Sequence, residues 1–189
     1  MTIPNGHRIE TLEQLRAIIP APEAGSFAIR KQMEALDERC RAVIAAAPFM
    51  LLATAGPDGR CDVSPRGDTP GFVHVVDDRT VVIPDRPGNR RLDSLNNILH
   101  NPHAATIFLV PNMEEALRVN GRAWISDDPA LLSRMSIQGE PPLVGIVIET
   151  EEVCFQFARA LKLSQLWQTD SWRDRESLPA VAQLLGEQP

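Results

Sequence analysis

Before residue 48 the apolar positions fall near helical spacing, and from residue 49 onward they alternate or run together as strands do. Thr11-Leu12-Glu13-Gln14 is a capping box, with Thr11 as N-cap and Gln14 reaching back. It predicts a short helix to about Ile19, stopped by Pro20 and Pro22. Phe27, Met33, Leu36, Cys40, Val43 and Ile44 then recur with charged residues between them. They predict a second helix that ends at Pro48.

Phe49 to Thr54 is a short apolar run before the turn Gly56-Pro57-Asp58-Gly59, and Arg60 to Arg66 reads as the returning strand. Strands follow at Phe72 to Val76 and Thr80 to Ile83, around an Asp77-Asp78 turn. Asn89 to Leu99 reads as a helix with Leu92, Leu95 and Leu99 on one face, broken by Asn101-Pro102. Ala104 to Val110 and Leu117 to Ile125 are the next strands, and Asp128-Pro129 starts a short helix. Leu143 to Ile148 is a continuous run suited to a strand buried on both faces, Val153 to Leu163 fits either element, and a helix is expected around Leu178 to Leu185. Six or seven short strands joined mostly by hairpin-length turns predict a closed antiparallel barrel, mainly β with flanking helices. The expected organisation is a single domain over residues 1–189, with a helical N-terminal extension (about 10–47) and a C-terminal helical tail (about 156–189).

Composition narrows the function. The net charge is −6 and the pI about 5.2, which argues against a nucleic-acid partner, since that needs a basic face. The chain has no Tyr and 5% aromatics, so platforms for stacking bases are also poorly supplied. No stretch approaches the ~20 apolar residues of a membrane helix. The first six residues lack a basic start followed by an apolar run, so neither a signal peptide nor a membrane partner is expected. Cys40, Cys61 and Cys154 are odd in number and far apart, which points to a reducing cytoplasm rather than a disulfide framework or a thiolate metal site.

Two segments carry candidate chemistry. Ser64-Pro65-Arg66-Gly67-Asp68, at the end of a strand, offers a hydroxyl, a guanidinium and backbone amides, the groups a phosphate needs. Asp85-Arg86-Pro87-Gly88-Asn89-Arg90-Arg91 joins a strand to a helix, with Asn89 as the expected N-cap. Arg90 and Arg91 would then oppose the helix dipole unless an anion sits there. Each segment, taken alone, also reads as a solvated turn. Together they place Arg66, Arg86, Arg90 and Arg91 around one barrel, and a phosphate-bearing ligand is the economical explanation. Neither is a dinucleotide fingerprint or a Walker loop, no GxSxG elbow is present, and His100 and His103 read as a turn. Glu149, Glu151 and Glu152 read as a solvated strand end, and Trp167 and Trp172 as tail residues that pack on a second subunit or a ligand.

The order Phe49 to Thr54, Pro57-Asp58-Gly59, Asp62 to Asp68, Asn89 to Ser94, Asn101-Pro102 and Leu117 to Ala123 resembles the pyridoxamine 5'-phosphate oxidase-like family of FMN-binding split barrels. The similarity runs from about Phe27 to Trp167 and is nearest to the FMN-dependent branch that carries a Ser-Pro-Arg-Gly-Asp motif. The resemblance implies a six-stranded split barrel that forms a homodimer with FMN at the subunit interface. It implies a phosphate held by cationic side chains from Ser64-Pro65-Arg66 and from Asn89-Arg90-Arg91, and a flavin ring along the backbone of the first segment, Ser64-Pro65-Arg66-Gly67-Asp68, and of Ile83-Pro84-Asp85. The partner subunit would cover the ring with Arg118 or with the tail around Ser164 and Trp167. Three positions depart from the branch: Gln156 stands for a histidine, Leu163 for an arginine and Ala116 for a threonine. The expected function is an FMN-dependent oxidoreductase with a small-molecule substrate; the alternative is a non-catalytic flavin or haem module on the same fold. Pyridoxamine phosphate oxidase activity itself is not expected.

Overall fold

Thr11 caps the first helix as its sequence requires. Its Oγ1 accepts the Gln14 amide at 3.2 Å, and Gln14 Oε1 reaches back to the Glu10 amide at 2.9 Å. The computed structural model describes residues 8–23, 25–26, 31–157 and 159–177. In it this helix, α1, is Leu12–Ile18, and none of its residues is buried.

The second helix is shorter than its pattern predicts. Gln32–Met33 is a strand, β1, and α2 is Glu38–Ala46. Asp37 sets the start, because its Oδ1 accepts the Cys40 amide at 2.9 Å. That bond, with Arg39 beside it, holds the Asp37 carboxyl down at about 2. Phe27 and the helix expected around Leu178 to Leu185 lie outside the described residues. α2 buries Cys40 and Ile44, and burial pushes the Cys40 thiol up to about 11, so it behaves as a core residue.

Eight strands form one antiparallel sheet. The remaining seven are β2 (Phe49–Ala55), β3 (Cys61–Gly67), β4 (His74–Val75), β5 (Thr80–Pro84), β6 (His103–Leu109), β7 (Glu115–Ser126) and β8 (Gly145–Phe157). Their order is β3-β2-β6-β7-β8-β5-β4, with β1 also pairing β8. The closed barrel that the strand pattern predicts is open, since β3 and β4 end the ladder among the described residues; the split barrel implied by the resemblance stands, with eight strands rather than six. β3 explains its own edge position: Asp62, Ser64 and Arg66 occupy the face that on β2 carries Thr54, Leu52 and Met50. Polar side chains on the inward face suit an edge strand and not a closed core. The ambiguous stretch divides, β8 running to Phe157 and a helix α5 taking Arg159–Leu163. β8 is this long because β7 pairs it across a bulge at Asn120/Gly121, where any Cβ on Gly121 would overlap the Glu149 carbonyl.

Two further helices are α3 (Asp93–His100) and α4 (Pro129–Leu132), the latter capped by Asp128 Oδ1 on the Ala130 amide at 2.8 Å. The buried run at the start of β8 serves two cores. Ile146 and Ile148 join Val81, Ile83, Met50, Leu52 and Phe108 on one face. Val147 and Val82 meet Leu132 and Met135 on the other. Leu143 lies before the strand and is 89% exposed, so the run shortens at its N-terminal end. Burying Met135 is worth about 1.5–3 kcal/mol and anchors the chain between α4 and β8.

Candidate functional site

Strand alternation builds one wall of a cavity. Cys61, Val63, Pro65 and Gly67 are the more exposed positions of β3, while Asp62, Ser64 and Arg66 are half-buried. The half-buried three, with Pro65, line a space of about 1030 Å³ together with Asp85 to Leu95 and Ile137, Glu140, Pro141, Pro142 and Leu143. That is at the upper end of the ~300–1,000 Å³ usual for small-molecule sites.

The arginines around it are not equivalent. Arg86 donates from Nε to Asp68 Oδ2 at 2.8 Å and from Nη1 to the Met135 carbonyl at 2.9 Å, so it ties β3's end to the satellite core. Arg91 donates from Nε to Asp93 Oδ2 at 2.9 Å in an exposed pair. Arg66 donates from Nη1 to Asp85 Oδ1 at 3.0 Å, yet its Nε is buried with no partner among the described residues. Arg90 has no hydrogen bond or ion pair among the described residues. Four lining arginines face four lining carboxylates (Asp62, Asp85, Asp93 and Glu140), so the wall is formally neutral. The groups left to meet an anion are Arg90 and the part of the Arg66 guanidinium outside the Asp85 pair, Nε itself being buried.

The turn before α3 differs from expectation. Asn89 is not the N-cap, because its Oδ1 accepts the Arg91 amide at 3.0 Å in a turn of its own. The helix starts at Asp93 instead, so Arg90 and Arg91 precede it rather than occupying its first turn. Arg90 and Leu92 adopt left-handed backbone, φ 60° and 61°. Such positions cost roughly 1–3 kcal/mol each and gather at ligand clamps. No side chain caps α3, and Asp93, Ser94 and Leu95 of its first turn line the cavity. Their amides have no partner within the helix. Ser94 also carries a hydroxyl chain: Ser64 Oγ lies 3.2 Å from Ser94 Oγ, and Ser94 donates to Asp62 Oδ2 at 3.4 Å.

Ser64, Pro65, Arg66, Asp85, Asn89, Arg90 and Arg91 thus share one cavity, and the other predicted site residues do not line it. Gly67 ends β3, and Asp68 holds Arg86. Ile83 and Pro84 are buried in β5. Arg118, on β7, pairs with Glu152, which also accepts from Gln32 at 2.8 Å and Asn120 at 3.4 Å. Glu152 is therefore the hub of a polar cluster and not a solvated strand end. Ser164 donates to the Leu161 carbonyl at 3.1 Å. The Trp167 indole donates to the Met113 carbonyl at 2.9 Å beside a second hollow of about 310 Å³. Trp172 stays 60% exposed.

Asp62, Ser94, the clamping role of Arg86 and the wall around Glu140 were not anticipated from the sequence. Period two along β3 pointed to Asp62, two residues before Ser64. Gln138-Gly139, with φ 53° and 87°, marked a tight turn before Pro141-Pro142. Among the described residues no group of His, Cys, Asp and Glu could hold a metal ion, and no helix is long and apolar enough to cross a membrane.

A family model described as pyridoxamine 5'-phosphate oxidase matches residues 36–157, from the residue before α2's cap to the end of β8. The chain belongs to this family. Its fold is that of the family's split barrels. The HupZ protein of Group A Streptococcus is 16% identical with a TM-score of 0.51, the match covering 62% of this chain and 91% of HupZ. A single-site variant of HupZ gives the same identity and TM-score over 64% of this chain and 98% of the variant. A putative pyridoxamine 5'-phosphate oxidase of Lactobacillus delbrueckii is 22% identical with a TM-score of 0.49, over 64% and 94%. No curated protein matches the chain.

Proposed function

We propose that this family member binds FMN in the cavity between β3 and α3 and acts as an FMN-dependent oxidoreductase on a small molecule. The observation that carries the reading is a pair of arginines with unused donors, Arg66 and Arg90, lining one cavity from two separate stretches. Guanidinium N–H groups only donate, and their fork suits a phosphate. The uncapped start of α3 adds backbone donors at the same place. These residues fit the phosphate end of FMN, and the cavity has room for a ring system beyond it. FMN supplies the hydride and electron chemistry when bound; the chain supplies position and charge.

The reading includes a homodimer. Phe49, Val63 and Ile107, on adjacent strands, are 37%, 57% and 37% exposed, an apolar face suited to a second copy. Arg118 stands opposite Ile107 in register, at the border of that face. Three free cysteines suit a reducing cytoplasm.

Titration of the purified protein with FMN and with riboflavin tests the proposal. FMN should bind and turn the protein yellow, and should bind more tightly than riboflavin, which lacks the phosphate. A colourless protein after incubation with excess FMN refutes it. Anaerobic bleaching of the bound flavin by NAD(P)H supports turnover, whereas a flavin that no nicotinamide donor reduces supports a non-catalytic module.

A further inference from the structure

The strap of chain between α4 and β8 is fixed at both ends. At one end Met135 is buried and its carbonyl accepts from Arg86 at 2.9 Å; at the other the Val144 carbonyl accepts from the Asp85 amide at 3.0 Å. The middle is stiff as well. Ile137 and Glu140 exchange backbone bonds of 3.0 and 2.9 Å across the Gln138-Gly139 turn, and Pro141-Pro142 restricts the residues that follow. Ile137 and Leu143 of this strap are exposed on the wall of the main cavity, and a strap so held cannot fold in on itself to cover them. Leu92 joins them from the turn before α3, exposed on strained left-handed backbone, φ 61°. Large apolar side chains gathered from separate stretches onto one concave wall mark a contact surface.

We infer that the strap and Leu92 form a second ligand subsite, beside the flavin, for an uncharged molecule with an apolar, ring-sized body, and that Ile137 and Leu143 set its specificity. The inference rests on the FMN reading and names the substrate class within it. Two observations choose this occupant. The cavity of about 1030 Å³ is at the upper end of what one small molecule fills, so space remains beside a flavin. The wall carries as many carboxylates as arginines, Glu140 of the strap among them. A bound phosphate monoester adds roughly −1.5 to −2 charge and leaves the loaded site negative. An anionic second ligand is then repelled, whereas an uncharged apolar one gains by covering Ile137, Leu143 and Leu92.

The test uses the FMN-loaded protein and two probes, 2-naphthol and 2-naphthoate, which share a ring system and differ in charge at pH 7. The change in flavin absorbance on titration reads binding, while sedimentation and a melting curve check the assembly and folding of each variant. 2-Naphthol should bind, and 2-naphthoate should bind more weakly. Leu143→Ser and Ile137→Ser should each weaken 2-naphthol by about tenfold, the loss of one apolar side-chain contact, with FMN affinity and sedimentation unchanged. Leu143→Met keeps the apolar bulk and should bind 2-naphthol as wild type does. Equal binding of the two probes, or unchanged 2-naphthol affinity in both serine variants, overturns the inference. A loss of FMN affinity in Leu143→Ser would make the strap a wall for the flavin itself, and a change in sedimentation would make it a subunit contact; either result overturns the inference too. Wild type that takes up no FMN removes the FMN reading and this one with it; wild type that holds FMN and ignores 2-naphthol removes this one alone.

Discussion

Arg90 and Arg91 are adjacent, yet the structure gives them different work. Arg91 is held by Asp93 in a pair whose side chains are 71% and 51% exposed. Arg90 is unpaired among the described residues and sits on left-handed backbone, φ 60°. If Arg90 grips the phosphate, Arg90→Ala removes a charge-assisted bond worth about 1.5–3 kcal/mol, a loss of roughly 10- to 150-fold in FMN affinity. Arg91→Ala removes an exposed pair and a charge that salt screens within about 8 Å, so its loss should be about threefold or less at physiological salt. Riboflavin affinity should hardly change in either. Flavin fluorescence quenching measures all four constants. Arg90→Gly supplies the control, since glycine adopts positive φ without strain: it should lose FMN affinity as Ala does while melting no lower than wild type. Equal losses for the two arginines, or a larger one at Arg91, would falsify the assignment.

Three further outcomes follow from the same contacts. Gly121→Ala places a methyl in the Glu149 carbonyl at the β7–β8 bulge and should cost about 3 kcal/mol or more, lowering Tm by roughly 6–12 °C; a shift under about 2 °C contradicts the close approach. Arg86→Met should destabilise the fold by about 2–4 kcal/mol in urea unfolding, because Asp68 is left half-buried and unpaired, while the ratio of FMN to riboflavin affinity stays as in wild type; a selective loss of FMN would make Arg86 a phosphate ligand instead. Asp37→Ala should cost about 1 kcal/mol at pH 7 as a lost N-cap. Asp37 titrates at about 2 when folded against an ordinary 3.8, so the unfolded chain binds the proton first and the cap's charge contribution is complete above the unfolded value. The gap between variant and wild type should narrow as pH falls from 4 toward 2, and a gap constant over that range sinks the linkage.

Much of the fold was legible because it follows local rules. Thr11 and Asp128 cap the helices their sequences announce. The apolar runs of β2 and β8 have the period and length of strands. The failures sit where a local signal met a stronger contact. Met33 continued a helical spacing, but its backbone found β8 and the Asp37 cap restarted the helix later. Asn89 has the chemistry of an N-cap, but its own turn with Arg91 satisfied it first.

By itself the sequence determined the class of the molecule: an acidic chain, a block of short antiparallel strands between helices, and two arginine-bearing segments fit for an anion. Spacing, capping and charge are properties of neighbours along the chain, so they can be read one segment at a time. Tertiary structure alone decided which guanidinium is tied and which is free, that β3 stays an edge with its polar face on a cavity, and that the Glu140 segment walls it. Those outcomes depend on which carboxylate or carbonyl arrives from elsewhere. Asp85 reaches Arg66 across 19 positions and the Met135 carbonyl reaches Arg86 across 49, distances over which no local pattern carries information.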